Sequence, residues 1–322
     1  MINKFKKLYI YTAMKIICDF SLIEESTTAT VGFFDGVHLG HRYLIKLLKE
    51  YAKKSKLKTA IITFPIHPCK ILQKDYQPFL LNTFEEKVRR LSLTEIDYCY
   101  VINFTQEFSK ITAQDFIQQI LHKQLRIKEL LVGYDNRFGK GRIYGYKQYV
   151  QYGKSCGMSV RQIDKLPEKE DIHNSSTSIR QLLMEGKVKK AADKLSYYYS
   201  LEGKVVQGNQ LGRTIDYPTA NISLYDKEKV IPCKGIYATY VFIKGDKHIG
   251  MTYIGKRPTI TFDEDNRIEV NIFDFDKNIY GKRIRIEFLQ FIRPDIYFHN
   301  LKELQKQLGK DKAKVKKIIT LT

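Results

Sequence analysis

The spacing of apolar residues changes its period once along this chain, and that change restricts it to a molecule of two unlike parts. From about residue 28 to 165, apolar strands alternate with amphipathic helices: "TATVGFF" is followed by Leu44, Leu47, Leu48 and Tyr51 at helical spacing, then by "LKTAIITF". "EEKVRRLSL", "DYCYVINF", "AQDFIQQIL" and "ELLVGY" continue the alternation, which predicts a parallel α/β sheet. After about residue 200 the pattern becomes short strands punctuated by turns: "LEGKVVQG", "IYATYVFIKGDKHIGMTYIG", "RIEVNIFDF" and "KRIRIEFLQFI". These predict an antiparallel barrel, with a hairpin turn at Lys244-Gly245-Asp246. A closing helix follows, in which Leu301, Leu304 and Leu308 share a face. The change of period falls in "KVKKAADKLSYYYS", so residues 14–190 and 197–322 are expected as two domains. At 322 residues each has the length to bury its own core.

Composition narrows the partners. The net charge of +20 attracts phosphates, but the lysines are dispersed, as in "KLLKEYAKKSKLK" and "KDKAKVKK", without the interleaved aromatics of a base-stacking platform. A solvated lysine-rich surface and phosphorylated small-molecule ligands are expected, and no specific nucleic acid. Cys18, Cys69, Cys99, Cys156 and Cys233 contain no C-x-x-C pair, which argues against a disulfide framework or zinc knuckle and for a reducing, cytoplasmic setting. No run reaches the length of a membrane span. "MINKFKK" followed by "LYIYTAMKII" is a poor signal peptide, and Met14, which opens the strand pattern, is an alternative start. Oligomeric state is not encoded in any of these features.

The chemistry concentrates in "VGFFDGVHLGH", residues 31–41, where the first strong strand ends and a helix begins. In an open parallel sheet, ligands gather beyond the carboxyl ends of strands, and a helix amino end favours an anion there. Gly32, Gly36 and Gly40 let the backbone approach a phosphate, while His38 and His41 can donate to phosphoryl oxygens as charge develops. A single imidazole is usually a satisfied structural residue; two flanking a glycine at a strand-to-helix turn favour chemistry. The three-residue spacing has no accompanying cysteine and no third carboxylate in the usual zinc-site pattern, so zinc is not the expected ligand.

"GFFDGVHLGH" resembles the H-x-G-H signature of nucleotidyltransferases, in the G-x-F-D-G-V-H-x-G-H form of prokaryotic bifunctional riboflavin kinase/FAD synthetases. Six further segments match in order: "TFPIHP" (63–68), "VGYDNRFGKGRIYG" (132–145), "SSTSIR" (175–180), "GRTIDYPTANI" (212–222), "GKRPT" (255–259) and "IEVNIFDFD...IYG" (268–281). The resemblance covers nearly everything from residue 14 onward. It implies a Rossmann-like α/β nucleotidyltransferase domain followed by a β-barrel riboflavin kinase domain with a C-terminal helix. The substrates would be riboflavin, FMN and ATP, with Mg2+ as cofactor.

On that resemblance, the N-terminal half joins FMN to the α-phosphorus of ATP. His38 and His41 steady the phosphates, and Gly32, Phe34, Gly36 and Gly40 line their site. Ser175, Ser176, Thr177 and Arg180 clamp the leaving pyrophosphate, although the same residues alone read as a helix cap with a surface arginine. His67, Asp135 and Arg137 face the flavin. In the C-terminal half, Gly208 and Gly212 cradle the ATP phosphates, Thr219 and Asn221 hold magnesium, Glu269 is the general base and Arg293 touches the flavin. Without the resemblance, "YPTAN" is a proline turn and Glu269 the outward face of a half-buried strand. Pro65, Asn136, Asn174, Asp216 and Tyr253 depart from the family's usual residues. Two alternatives follow from the departures: a kinase with an impaired adenylyltransferase half, or a flavin-binding regulator.

Overall fold

The computed structural model describes residues 14–73, 75–77, 79–164, 174–208, 212, 215–256 and 266–320. Most of "GKRPT", and Arg213 and Thr214 of "GRTIDYPTANI", lie outside the described residues. The chain divides into two compact units, Met1–Ser175 and Ser176–Thr322.

The first unit is a parallel sheet of β1 (Lys15–Ile17), β2 (Thr27–Val31), β3 (Lys58–Thr63), β4 (Tyr98–Val101), β5 (Ile127–Gly133) and β6 (Ser159–Ile163). Its spatial order is β1-β4-β3-β2-β5-β6 and every neighbouring pair is parallel. The helices are α1 (Leu39–Ser55), α2 (Pro68–Leu72), α3 (Phe84–Ser92), α4 (Ala113–Asp115) running into a π-helical stretch Phe116–Gln124, and α5 (Tyr146–Ser155). Two apolar cores form because both faces are covered. Ile45 and Leu48 of α1 and Val88 and Leu91 of α3 pack on one face with Ile61, Cys99 and Leu131. Phe116, Ile117, Leu121 and Tyr149 pack on the other with Ala60, Ile62, Tyr100 and Leu130. Burial of each such aliphatic side chain is worth about 1.5–3 kcal/mol. Sequence order reverses between β3-β2 and β5, so the carboxyl ends of these three strands face one crevice, the usual ligand position of an open α/β sheet.

The second unit opens with α6 (Ser176–Met184) and α7 (Val188–Leu195), the latter packing on β12. The strands are β7 (Ser200–Val206), β8 (Ala220–Leu224), β9 (Gly235–Ile243), β10 (Asp246–Lys256), β11 (Asn266–Ile272) and β12 (Arg283–Arg293). They close into a barrel in the order β10-β11-β8-β7-β12-β9, and β9 pairs with β10 to complete the ring. The hairpin at Lys244-Gly245 forms as expected: Ile243 pairs Asp246, and both loop residues have positive φ, 52° and 101°, as a two-residue turn of this twist requires. The closing helix α8 (Leu301–Thr320) also forms, but Leu301 does not join its packed face and is 45% exposed. The packing contacts come from Leu308, Val315, Ile318 and Ile319 against Ile236, Ala238 and Met251.

Candidate active sites

The turn after β2 is bent out of ordinary backbone space. Phe34, Gly36 and Val37 all have positive φ, 56°, 82° and 40°, and a β-branched valine there carries strain. Neighbouring groups hold the turn in place. The Asp35 carboxylate accepts the backbone N–H groups of Leu81 (3.0 Å) and Asn82 (3.1 Å), directly ahead of α3. Thr83 and Glu86 close a capping box at the start of α3. The Phe33 carbonyl accepts from Thr63 Oγ1 (3.2 Å) and Lys87 Nζ (2.9 Å).

Out of this turn come the two imidazoles. His38 is the residue before α1 and His41 lies in its first turn; the rings stack at 3.7 Å between centroids, and Phe34 lies 5.1 Å from His41. His41 as a residue is only partly buried, but its Nδ1 is shielded from solvent and meets no hydrogen-bond partner. Enclosure, then the neighbouring His38 and Lys87, hold the His41 pKa well below its ordinary 6.5. A Cβ on Gly40 would come within 3.2 Å of the His38 ring and 3.3 Å of the Asn174 carbonyl, so glycine lets the segment ahead of Ser175 approach the pair. Gly32 extends β2 by one bond, to the Ile62 carbonyl at 3.0 Å.

The ends of β3 and β5 reach the same crevice. His67 caps α2 by accepting the Cys69 N–H (3.2 Å), and its ring meets the edge of Phe33 at 4.6 Å. Asn136, one of the departures, donates to the Val31 carbonyl (2.6 Å) and ties the loop after β5 to the end of β2. Asp135 and Arg137 stand exposed on either side of it. Ser175 belongs to this unit, whereas Ser176, Thr177 and Arg180 lie in α6, counted with the second unit.

In the barrel, register brings three predicted or departing residues into one row. Glu269 of β11 lies opposite Tyr253 of β10 on one side and Asn221 of β8 on the other. Arg267 holds Glu269 through Nε at 2.7 Å and Nη2 at 2.5 Å, both on Oε1. Gly208 packs against Asn221 so closely that a Cβ there would collide with the side-chain amide. Gly212 accepts the Tyr217 N–H (2.8 Å), closing the turn that contains Asp216 at φ 60°, a conformation aspartate tolerates better than most residues. The neighbours of the row, Val270 and Ala220, point the other way and line a cavity of about 430 Å3 with Val205, Thr219, Phe275 and Asn278. Tyr253 donates to Asp295 (2.7 Å); burial and this carboxylate raise its pKa. Arg293 is not in the row: it forms a buried ion pair with Asp311 of α8, Nε and Nη2 at 2.9 and 2.8 Å.

Comparison with known proteins assigns this two-part arrangement. A family model described as FAD synthetase matches residues 21–178, and one described as riboflavin kinase matches 195–319. The bifunctional riboflavin kinase/FMN adenylyltransferase of Escherichia coli strain K12 is 35% identical over 93% of this chain and 95% of its own. This chain belongs to that family. The Listeria monocytogenes member is 36% identical over 87% of this chain and 88% of its own. A crystal structure described as a macrolide-efflux protein from Streptococcus pneumoniae is 32% identical, with a TM-score of 0.84, and the match covers 94% of this chain and 99% of that one. No helix among the described residues is long and apolar enough to cross a membrane.

The magnesium the family implies fits the donors present. Among the described residues no group of three His, Cys, Asp or Glu could hold a metal. Asn221 offers a neutral oxygen in register with the Glu269 carboxylate, and Thr219 offers a hydroxyl on the adjoining cavity wall; these are oxygen donors of the kind suited to a hard cation that arrives on nucleotide phosphates and keeps its water. Sequence reasoning missed Asp35 and Lys87. The signal for Lys87 was present: it completes the series Phe84, Lys87, Val88, Leu91, which is the apolar face of α3.

Proposed function

We propose the following residue assignment for an enzyme that phosphorylates riboflavin to FMN in its barrel unit and adenylylates FMN to FAD in its α/β half. The observation that carries it is the succession, on one chain, of the two family matches over a parallel sheet with paired histidines and a closed barrel with the Asn221–Glu269 row. The functional halves are taken as residues 14–190 and 197–322.

In adenylyl transfer, a phosphate oxygen of FMN attacks the α-phosphorus of ATP, and the bond to the bridging oxygen breaks to release pyrophosphate. His38 and His41 donate to the phosphoryl oxygens; His41, neutral at pH 7, adds a hydrogen bond without a standing charge that would trap product. Gly32, Phe34, Gly36 and Gly40 shape their phosphate site, and His67, Asp135 and Arg137 line the flavin side of the crevice. Roles for Ser175, Ser176, Thr177 and Arg180 on pyrophosphate rest on the sequence motif. In the kinase reaction, Glu269 accepts the proton of the ribityl 5′-hydroxyl through Oε2, the oxygen opposite the Arg267 contacts, as the hydroxyl oxygen attacks the γ-phosphorus and ADP leaves. Thr219 and Asn221 would hold Mg2+, which supplies charge neutralisation on the phosphates. Gly208 and Gly212 flank those phosphates, and the cavity beside Thr219 takes the adenosine. Arg293 acts on flavin only through the α8 contact that its ion pair fixes. The cysteine usage supports a cytoplasmic setting, and the dispersed lysines support small-molecule partners in place of nucleic acid.

The test is incubation of purified protein with riboflavin and Mg-ATP, followed by chromatographic separation of the flavins. FMN and FAD together are expected; FMN alone would support the single-activity kinase, and neither product would overturn the enzyme reading and support the regulator.

A further inference from the structure

One buried cation in the α/β half has no part in the chemistry above. Lys87 is 2% exposed, inside the core face of α3. A lysine taken out of water costs several kcal/mol unless its donors are met, and an unbranched apolar residue would fill the same space without that cost. Its donors are met by two carbonyls from different loops: Phe33 at 2.9 Å and Phe64 at 2.8 Å, with the Phe33 ring 3.8 Å from the ammonium. Phe33 begins the turn that delivers His38 and His41. Phe64 begins the loop that delivers His67. Both carbonyls lie past the last residues of their strands, where the sheet ladder no longer supplies donors.

We propose that Lys87 is a positioning residue for adenylyl transfer, a single ammonium that bridges the two histidine-bearing loops and fixes their separation in the crevice. This rests on the assignment of His38, His41 and His67 to that reaction. The charged and titratable groups facing Lys87 are Asp35 from the turn, Cys99 from β4 and His41 from α1. Burial lowers the Lys87 pKa to about 7 against the opposing pull of Asp35 and Cys99, and the Lys87 charge in turn is one of the causes that depress His41. Bridging therefore has a spectroscopic consequence that mere space-filling lacks: loss of the ammonium raises the midpoint at which His41 takes up a proton.

The experiment compares wild type, Lys87→Met and Lys87→Gln in the full-length protein. Three readouts are taken: kcat and KM for FAD formation from FMN and ATP, kinase activity on riboflavin, and the His41 titration by NMR. Lys87→Met leaves an unbranched apolar side chain one atom shorter and removes the donors. It is expected to lower kcat for FAD by up to about 100-fold, the scale of an ångström's misplacement, with kinase activity unchanged and the His41 midpoint raised. Lys87→Gln, matched to methionine in length but still bearing N–H donors, is expected to lose less. A folded Lys87→Met that makes FAD at the wild-type kcat overturns the proposal, as does a loss of kcat with the His41 midpoint unmoved or a glutamine variant no better than methionine. Should Lys87→Met fail to fold, Lys87→Gln decides, and a wild-type kcat overturns it. A wild-type protein that makes no FAD would instead overturn the underlying assignment.

Discussion

The α/β half and the barrel present their reactive groups by opposite means. In the α/β half the proposed polar groups, Arg180 within α6 apart, lie beyond a strand end, on a turn or at a helix start, so their position depends on what clamps the turn: Asp35 on Leu81 and Asn82, Lys87 on Phe33 and Phe64, Asn136 on Val31. In the barrel, Tyr253, Glu269 and Asn221 sit within the strands and are brought together by pairing register, with Arg267 holding Glu269 and Asp295 holding Tyr253. A turn site is thus vulnerable to loss of its clamps, whereas a register site is vulnerable at the reacting residue and tolerant around it.

The largest expected effect tests the barrel side. Glu269→Ala should lower FMN formation by about 10²–10⁴-fold, the range for a general base, while FAD formation from supplied FMN stays at the wild-type rate. His41→Ala should lower FAD formation by about 10²–10³-fold and leave FMN formation alone. If either substitution abolished both activities in a folded protein, the two sites would not be separate. Asp35→Ala, which strips two buried N–H groups of their acceptor, should cost the α/β half about 1–3 kcal/mol in urea unfolding and lower its activity without touching the kinase.

The pH dependence of unfolding sharpens the contrast further. His41 is harder to protonate in the fold than in the unfolded chain, so the α/β half loses stability as pH falls below 6.5. Lys87 sits at about 7 in the fold against an ordinary 10.5, so the unfolded chain binds the extra proton between those values and stability rises with pH across that window. Each group contributes a slope of at most about 1.4 kcal/mol per pH unit. Urea midpoints at pH 5.5, 7 and 9 should show both limbs in wild type, with the upper one flattened in Lys87→Met. The smallest effect belongs to Tyr253→Phe, which removes one partly exposed hydrogen bond to Asp295: about 0.5–1.5 kcal/mol in barrel stability, with kcat of the kinase nearly unchanged.

Much of this was legible in the residues. The change of period at the junction announced a parallel sheet and then a barrel, because side-chain burial repeats every 3.6 residues in a helix and every two in a strand. The glycine-flanked histidines pointed to the strand-to-helix turn they occupy. What stayed hidden depends on distant pairing. Nothing local in "VGFFDG" tells that Asp35 binds residues 81 and 82, nor in "FIRPD" that Arg293 faces Asp311, eighteen positions along and on another element. The Leu301, Leu304, Leu308 face was right in period but misplaced in extent, since burial of α8 centres further along on Asp311 and Val315. Lys87 is one of 55 Lys and Arg in a chain whose lysines as a class read as a solvated surface, although its spacing puts it inside.

Closure of the barrel leaves its six strands with no unpaired rim. The open sheet has two, β1 and β6, only three and five residues long and carrying Lys15 and Arg161. Brevity and charge at a rim are the usual guards against strand addition by another molecule. Strand addition between copies on heating is therefore expected on the FAD-forming side, and more readily once Lys15 and Arg161 are made apolar.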